Sequence, residues 1–338
     1  MDGAENSALP ARKGGQARSL VTYLQLFESL GLLVLLAIVI LMASAVTQGF
    51  FTYTNLTNTI INAAIVAVTG FGMTFAIASG GFDLSVGSVQ AFTAIVAAAL
   101  LQVAGIPTAI LGALLAGVLC GSLNGLLVTR LRMPPFVATF GMMSVVRGLS
   151  LLVTSGQSVM ITGRPGYALI NNGKVFSLPV PLFIVLLVFA VLHLLLRHTP
   201  FGRHACAIGG NRKAAVASGI RIERTTILVF ALVGLTTAVS GVMLSAQLLI
   251  VDGTLGTGFE LQTIAIAVLG GTSLAGGGGN LFGTLLAALL LATISSALNI
   301  LKVAAFYQYL YLGVLLVAAL YLDTLRRDLI AESILRRR

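Results

Sequence analysis

Two apolar runs joined by a glycine-rich segment stand out in the first third of the chain. Residues 60–103 read IINAAIVAVTGFGMTFAIASGGFDLSVGSVQAFTAIVAAALLQV. A bilayer core is about 30 Å thick and takes about 20 helical residues to cross, which is close to the length of the runs at 60–79 and 88–103. Asp83 is the one charged residue in the whole stretch. The pattern predicts two transmembrane helices joined by a Gly-rich break at 80–87.

Composition extends this interpretation to all 338 residues. Hydrophobic residues make up 57% of the sequence and charged residues 9%, whereas roughly a quarter of the residues in a soluble domain are charged. That contrast excludes a soluble enzyme. Candidate spans occur at ten places: 30–50, 60–79, 88–103, 108–129, 136–154, 181–196, 225–248, 262–274, 281–300 and 304–322. The predicted fold is an all-α polytopic membrane protein with about ten transmembrane helices, some of them broken at Gly-rich segments.

The distribution of basic residues predicts the orientation of these helices. Lys and Arg in short loops are retained on the cytoplasmic side of a membrane. With both termini cytoplasmic, 16 of the 20 basic residues lie inside: Arg12, Lys13, Arg18, Arg130, Arg132, Arg197, Arg203, Arg212, Lys213, Arg221, Arg224, Arg326, Arg327, Arg336, Arg337 and Arg338. The short run at 262–274 would suit a re-entrant segment, but then the basic C-terminal tail would finish outside, so ten crossings are preferred.

The same distribution predicts the domain organisation and argues against nucleic acid as a partner. Residues 1–20 are predicted to be a flexible cytoplasmic tail, residues 21–325 the transmembrane domain with a cytoplasmic loop at 197–224, and residues 326–338 a basic cytoplasmic tail. Nucleic-acid binding is not expected, because the basic residues lie between apolar runs and not on a soluble surface. Ala43-Ser44-Ala45 resembles a signal-peptide cleavage site, but the apolar run continues to residue 50, which favours a retained helix.

The Gly-rich break occurs twice. Residues 80–87 and 270–277 share the pattern G-G-x-[DS]-L-[SA]-x-G, and each follows an Ala-Ile-Ala triplet. Shortened, Gly-interrupted segments at corresponding places in two halves of a membrane protein indicate a substrate site between broken helices. The alternative is coincidence in a Gly- and Ala-rich chain. The candidate pathway residues are Gly80, Gly81, Phe82, Asp83, Ser85, Gly270, Gly271, Thr272 and Ser273.

Two charges in or beside the predicted spans need an explanation, because ionisable groups within a membrane are costly and usually functional. Asp83 is either a pathway residue or, with Ser85, a cap at the start of the next helix. Arg147 is predicted to be a buried charge with an acidic partner, for which Asp83, Asp252 and Glu260 are the candidates. It is either a structural residue or a ligand contact. The spans otherwise offer few Asn or Gln residues and no Trp, which predicts weak ligand binding.

The cytoplasmic loop at 197–224 contains a predicted short helix with glycines at both ends. Asn211 is the expected N-cap, and Gly219 is expected to end the helix in the left-handed conformation. Such a helix is suited to docking on a cytoplasmic partner; the alternative is a basic loop that lies on anionic lipid. The candidate coupling residues are Gly209, Gly210, Asn211, Arg212, Lys213 and Gly219.

No enzymatic motif is present in the sequence. There is no G-x-x-x-x-G-K-[ST] phosphate-binding loop, and the glycines at 276–279 are not followed by the Lys and Ser or Thr that nucleotide binding requires. His193, His198 and His204 lack metal-ligand spacing. We therefore expect no catalytic residues, no metal site and no cofactor bound by this chain.

Four ordered blocks carry a resemblance to a known family. They are 72–74 with 80–87, 136–139 with Arg147-Gly148, 201–203 with 207–211, and 269–277. With these blocks the sequence resembles the membrane permease subunit of bacterial simple-sugar ABC importers of the ribose, arabinose and xylose type. Two departures are Gln262, where the family usually has an acidic residue, and Phe82, where an aliphatic residue is commoner. They are expected to alter the outer vestibule and the pathway shape, respectively.

The resemblance implies a function that composition does not show. The domain at 21–325 would be the permease domain, with 197–224 as its coupling loop, in a multi-pass protein of the bacterial inner membrane. It would translocate a monosaccharide, pentose or hexose, by alternating access. Implied partners are a second permease copy, as homodimer or heterodimer, a cytoplasmic ATP-binding subunit that holds ATP-Mg, and a periplasmic sugar-binding protein. The alternative is a proton- or sodium-coupled secondary transporter.

Overall fold

The computed structural model describes the backbone of residues 13–335 and the side chains of residues 30–304 and most of 306–324. Its helices are α1 Lys13–Val46, α2 Tyr53–Ala78, α3 Val86–Val103, α4 Ile106–Thr129, α5 Pro135–Thr154, α6 Pro165–Asn172, α7 Val180–His198, α8 Pro200–Gly210, α9 Arg212–Ala217, α10 Ile222–Leu248, α11 Phe259–Leu269, α12 Leu281–Ile300 and α13 Ala305–Leu335. Every one of the ten predicted apolar runs falls on one of these helices.

Seven helices in the described part of the chain are long and apolar enough to cross a membrane: α2, α3, α4, α5, α7, α10 and α12. Three shorter apolar segments lie at Leu30–Val46, Phe259–Leu269 and Phe306–Tyr321. A multi-span helical membrane protein is thus confirmed, while the count of about ten crossings stays a prediction. Helix α1 begins at Lys13, within the predicted tail at 1–20, and α13 runs into the predicted tail at 326–338; residues 1–12 and 336–338 lie outside the described residues.

Four short strands were not predicted from the sequence. Strand β1 (Val159–Met160) pairs antiparallel with β4 (Ile250–Val251), and β2 (Lys174–Val175) pairs antiparallel with β3 (Leu178–Pro179). Each strand has two residues, which is too short to leave an alternating pattern. The β1–β4 pair joins the loop after α5 to the loop after α10.

Helices α2 and α10 form the centre of the bundle. In the most apolar 18-residue stretch of α2, 83% of the residues are buried, the highest share among the seven long apolar helices of the described chain. Helix α10 packs on α4 through glycines, and a Cβ added to Gly121 would overlap the carbonyl oxygen of Phe230. Small residues allow such close approach of helices in membranes. Between α2 and α12, the hydroxyls of Thr74 and Thr284 are hydrogen-bonded at 2.9 Å.

The loops separate into two sets at opposite ends of the bundle. At one end the segments after α2, α4, α9 and α11 meet: the amide of Gly277 donates to the carbonyl of Ala78 at 2.9 Å, and Arg130 pairs with Glu223. At the other end, besides the β1–β4 pair, the hydroxyl of Tyr53 donates to the carbonyl of Ser177 at 2.6 Å. We call the first the basic end, because eight of the predicted cytoplasmic basic residues belong to it: Arg130, Arg132, Arg197, Arg203, Arg212, Lys213, Arg221 and Arg224.

Candidate functional site

Both Gly-rich motifs end a helix by the same hydrogen-bonded turn. After α2, Gly80 donates to the carbonyl of Ile77 at 2.9 Å and Gly81 donates to that of Ala76 at 3.0 Å. After α11, the amides of Gly271 and Thr272 make the equivalent bonds at 2.9 and 3.0 Å. This is the Schellman arrangement, in which a residue with positive φ follows the helix. The predicted breaks are therefore present in the structure.

The two turns correspond to each other with an offset of one residue from the pairing in the sequence pattern. The residue with positive φ is Gly80 in the first turn, at +85°, and Gly271 in the second, at +88°. The alignment paired Gly80 with Gly270. The second break is also longer, because α12 begins only at Leu281, whereas α3 begins at Val86. What the two motifs share structurally is the helix-ending turn, and the segments that follow differ.

Asp83 lies in a dense hydrogen-bond network. One carboxylate oxygen accepts from the backbone amide of Ser85 at 2.8 Å and from its hydroxyl at 2.6 Å, while the other accepts from Asn124 Nδ2 at 2.9 Å. The side chain is buried, with 2% of its surface exposed. A carboxylate that accepts from the backbone two residues later forms an Asx turn. Asp83 thus shapes the entry to α3, while Ser85, at the N-cap position, makes no side-chain capping bond.

Three Gly-containing segments meet at the basic end. A Cβ added to Gly209 of α8 would overlap the carbonyl oxygen of Ala78 and lie 2.9 Å from the amide nitrogen of Gly277. A Cβ on Gly80 would lie 3.4 Å from the Cα of Gly209, and one on Gly276 about as close as 2.9 Å to its backbone. We call Gly80, Gly209, Gly276 and Gly277 the glycine junction. Here α8 contacts, backbone to backbone, the segments that follow both α2 and α11.

The predicted docking helix corresponds to α9, and a second helix that was not predicted, α8, precedes it. Helix α8 ends at Gly210, and α9 follows directly with Asn211 as its N-cap, whose side-chain oxygen accepts from the amide of Ala214 at 3.0 Å. Gly219 has φ +77°. The predicted cap and the predicted stop are therefore confirmed as local structure. Arg212 and Lys213 are exposed on α9, whereas Ala215 is buried.

Arg147 holds the segment that leads into α11. Its Nη1 donates to the carbonyl oxygens of Gly253 and Leu255, both at 2.6 Å. The predicted acidic partner is absent as a direct contact among the described residues; Asp252 and Glu260 act on Arg147 only through longer-range electrostatic attraction. Asp252 itself caps a local turn with Thr254, and these hydrogen bonds lower the pKa of its carboxyl. Sequence reasoning missed the carbonyl partners because backbone groups leave no residue-type signal.

The N-terminal ends of α3 and α11 face each other inside the bundle. A Cβ on Gly87 would overlap the carbonyl oxygen of Gly256 and lie 2.6 Å from Oε2 of Glu260. With 11 residues, α11 is about 16 Å long, roughly half a bilayer core. The segment before it is largely non-helical, which membranes tolerate only where backbone is buried in protein or lines a cavity. The shortness of the eighth apolar run is explained by this half-helix.

Phe82 belongs to an aromatic row that continues along α5. Its ring lies 6.3 Å from that of Phe136, which stacks at 6.1 Å on Phe140. Phe136 and Phe140 are each 52% exposed. The predicted pathway residue Phe82 is thus joined to an exposed face of the bundle, whereas Thr272 and Asp83 are buried.

The interior also contains an amide-lined cavity that sequence reasoning missed. It has a volume of about 400 Å³ and lies between α2, α3, α10, α11, α12 and α13. Six amide side chains line it: Asn62, Gln90, Gln247, Gln262, Asn299 and Gln308. The expectation of few Asn and Gln residues in the spans is therefore wrong for this region. Each of the six helices contributes a single lining amide, so no local stretch carries a signal. Gln262, the departure noted above, is on the cavity wall.

A bundle of apolar helices with two Gly-rich breaks and a half-helix defines a polytopic membrane protein. In agreement, residues 55–320 match the family model described as the permease component of the branched-chain amino acid transport system. The chain belongs to this permease family. With its seven long apolar helices, it is a multi-pass protein of the bacterial inner membrane, as predicted.

Individual relatives are similar over nearly their whole length. The chain is 39% identical over 299 residues to the ribose import permease protein RbsC of Bacillus subtilis (strain 168), covering 88% of this chain and 92% of that protein. It is 37% identical to RbsC of Escherichia coli (strain K12), with 87% and 92% covered. It is 34% identical to the L-arabinose ABC transporter permease protein AraH of Azospirillum brasilense, with 90% of each covered. The predicted resemblance is thus confirmed.

Proposed function

We propose that this chain is the transmembrane permease subunit of an ATP-driven ABC importer that translocates a monosaccharide, pentose or hexose. Support for the substrate class is the similarity to proteins named for ribose and L-arabinose transport. Support for an external energy source is the sequence itself, which contains no phosphate-binding loop. In this proposal the chain forms the path that the sugar takes, and a partner subunit binds ATP-Mg.

The observation that carries the proposal is the glycine junction. Helix α9, with Arg212 and Lys213 exposed, offers a docking surface for a cytoplasmic ATP-binding subunit. Helix α8 directly precedes it and touches the segments after α2 and α11 through backbone atoms. Backbone contacts between glycines leave no flexible side chain to absorb a displacement. A movement of α8 and α9 is therefore transmitted to both breaks at once.

The two breaks connect the junction to the middle of the bundle. The first leads into α3, and the second follows α11, whose N-terminal ends meet near Gly87 and Gly256. Arg147 fixes the segment before α11 to α5. A shift at the basic end therefore moves the half-helix α11 against the N-terminal end of α3 where the two meet, which is a physical route to alternating access. The proposed pathway residues on this route lie in the two Gly-rich motifs: Gly80, Gly81, Phe82, Asp83, Ser85, Gly270, Gly271, Thr272 and Ser273.

The assembly we propose has three further components. They are a second permease copy, either identical or related, a cytoplasmic ATP-binding subunit, and a periplasmic sugar-binding protein that delivers the sugar. The exposed aromatic row that begins at Phe82 is the surface we assign to contact with the second copy. In this arrangement the permease and the delivery protein share the selectivity for the sugar. A ligand shifts the equilibrium between the outward-open and inward-open states of the permease only by its differential affinity for those two states.

Affinity purification of the chain from native membranes in mild detergent tests the assembly. We expect an ATP-binding subunit to co-purify and the complex to hydrolyse ATP. A variant with Arg212→Glu and Lys213→Glu is expected to insert normally but to lose the ATPase, whereas Arg164→Glu at the opposite end is expected to retain it. Purification of the chain without an ATPase, together with uptake that an uncoupler abolishes, would support the secondary-transporter alternative.

A further inference from the structure

We propose that the amide-lined cavity is a binding site for one neutral, polyhydroxylated ligand of monosaccharide size, with Gln90 and Gln262 as its inner polar contacts. This deepens the proposed function, on which it rests for the identity of the ligand. The volume of about 400 Å³ is within the roughly 300–1,000 Å³ of small-molecule sites. The site lies within one protomer.

The cavity extends inward from the end opposite the basic end. Its outer wall holds Gln247 and Asn299, which lie at or near the last turns of α10 and α12. These amides are already paired: Gln247 donates to Asn62 at 3.3 Å, and Gln308 donates to Asn299 at 2.7 Å. The rim is thus a preformed polar ring on the side from which a delivery protein would release its cargo.

Gln90 provides an unmet acceptor at the inner end. The side chain is 1% exposed, and its Nε2 donates to the hydroxyl of Ser240 at 2.7 Å. Ser240 in turn donates to the carbonyl of Ile65 at 2.9 Å, which fixes the orientation of the amide. The Oε1 atom has no hydrogen-bond partner among the described residues. Because buried polar atoms are almost always paired, this unpaired oxygen, itself buried on a residue of the cavity lining, is suited to a hydroxyl donor once a ligand opens the packing around it.

Gln262 supplies a second free amide on α11. Among the residues that the structure describes, none forms a hydrogen bond with this side chain. An amide can both donate and accept, as a sugar hydroxyl does. The unpaired acceptor of Gln90 on α3 and the unpaired amide of Gln262 on α11 therefore match a ligand that carries several hydroxyls. Since α3 and α11 are the two helices whose N-terminal ends meet near Gly87 and Gly256, a bound ligand would connect the elements that move in the proposed cycle.

The remaining lining excludes other ligand classes. Among the residues that the structure describes, those around the cavity include no Lys, Arg, Asp or Glu, so they offer no counter-charge to an ion. Apolar side chains such as Ile65, Leu244 and Phe259 lie beside the amides and can pack on the C–H faces of a sugar ring. A lipid chain would leave the amides unpaired, which is costly. A neutral polyol satisfies both kinds of surface.

Binding to the purified full-length permease in lipid nanodiscs tests the site. Saturation-transfer difference NMR with D-ribose, L-arabinose and D-glucose is expected to show millimolar binding of at least one sugar. Gln90→Met and Gln262→Met should each weaken binding about three- to tenfold, the usual effect of one lost hydrogen bond. The matched control is Gln102→Met, on the same helix as Gln90 but outside the cavity lining, whose amide donates to the Met160 carbonyl at 3.2 Å.

Each outcome is decisive. Weaker binding in the Gln262 variant with an unchanged thermal unfolding temperature supports the site even where the Gln90 variant is unstable. Absence of binding in the wild type, or equal binding by all variants, overturns the site and identifies a water-filled vestibule only. ATP-driven uptake by the wild-type complex, measured in parallel, separates the two proposals: uptake without sugar binding to the permease sinks this inference alone, whereas binding without ATP-dependent uptake sinks the proposed function.

Discussion

The amide of Gly277 donates a 2.9 Å hydrogen bond to the carbonyl oxygen of Ala78. Ala78 is the last residue of α2, and Gly277 lies in the break after α11. Gly209 of α8 packs on the same carbonyl oxygen. The carbonyl oxygen of Ala78 is therefore contacted both by α8 and by the break after α11. Through this contact, a movement of α8 would act on both halves of the bundle together.

The first prediction concerns this contact. Gly209→Ala places a methyl group onto the Ala78 carbonyl, and such overpacking typically costs about 1–3 kcal/mol. We expect normal membrane insertion but a marked loss of ATP-stimulated uptake. Gly210→Ala is the control, since its Cβ would lie 3.5 Å from the Cα of Gly277, an ordinary contact. Equal uptake by both variants would contradict the role of the glycine junction.

The second prediction separates shape from charge at Asp83. Asp83→Ala leaves the Ser85 amide and hydroxyl without their acceptor and removes one of the two acceptors of Asn124 Nδ2; at about 1–3 kcal/mol for an unpaired buried group, we expect a loss of more than about 2 kcal/mol. Asp83→Asn retains an acceptor for Ser85, and rotation of the Asn124 amide, whose Oδ1 has no partner among the described residues, can present an acceptor to the new Nδ2, so we expect stability and uptake to be preserved. Thermal unfolding and uptake measure both. Proton-dependent uptake that disappears in Asp83→Asn would instead assign a coupling role to this carboxylate.

The third prediction concerns Arg147. Arg147→Met leaves the carbonyls of Gly253 and Leu255 without their donor, so we expect a loss of about 2 kcal/mol in stability and a rise in hydrogen exchange confined to 252–258. Arg132→Met, at an exposed residue, is the control and is expected to change neither. Unchanged exchange in the Arg147 variant would show that the segment is held by other contacts.

The fourth prediction compares two Gly-to-Ala substitutions in helices. Gly121→Ala inserts a methyl group between α4 and the backbone of Phe230, whereas Gly148→Ala on α5 meets nothing within 4 Å. Alanine is better than glycine in a helix by up to about 1 kcal/mol. We therefore expect opposite effects on the thermal unfolding temperature: Gly121→Ala lowers it and Gly148→Ala leaves it unchanged or raises it. Two changes of the same sign would contradict the close approach of α4 and α10.

The fifth prediction tests the sidedness and exposure of α8 and α9. Val216 on α9 is 59% exposed, so Val216→Cys is expected to react rapidly with a membrane-impermeant maleimide from the cytoplasmic side. Cys206 on α8 is expected to react slowly at neutral pH and faster as the pH rises, because burial raises the pKa of its thiol and the thiolate is the reactive form. Labelling of Val216→Cys from the periplasmic side would reverse the proposed orientation.

The sequence predicted the features that depend on local chemistry. Apolar run length located the ten apolar helices, because a bilayer demands about 20 helical residues, but not the short helices α6, α8 and α9. Glycine pairs located both breaks, and Asn211 was correctly identified as a cap because its role is decided within three residues. The shift between Gly80 and Gly271 was missed, since it depends on which amide completes each turn.

Features that depend on distant packing were missed. The contact of Gly209 with Ala78, the carbonyl partners of Arg147, and the convergence of Gln90 and Gln262 on one cavity join residues from separate helices. No periodicity or motif encodes such contacts. Asp83 combines a local feature with a distant one. Its turn with Ser85 was among the alternatives expected from the sequence, whereas its hydrogen bond with Asn124 could be known only from the fold.

We propose that ATP hydrolysis on a partner subunit causes a movement that is transmitted through the basic end and drives sugar import through this chain. The most direct measurement is uptake of labelled D-ribose and L-arabinose into proteoliposomes that contain the purified complex, with ATP on the side of the basic end and sugar-loaded binding protein on the other. We predict accumulation that requires ATP, survives an uncoupler, and is lost in Gly209→Ala but not in Gly210→Ala. Accumulation that proceeds without ATP and collapses with an uncoupler would contradict the claim.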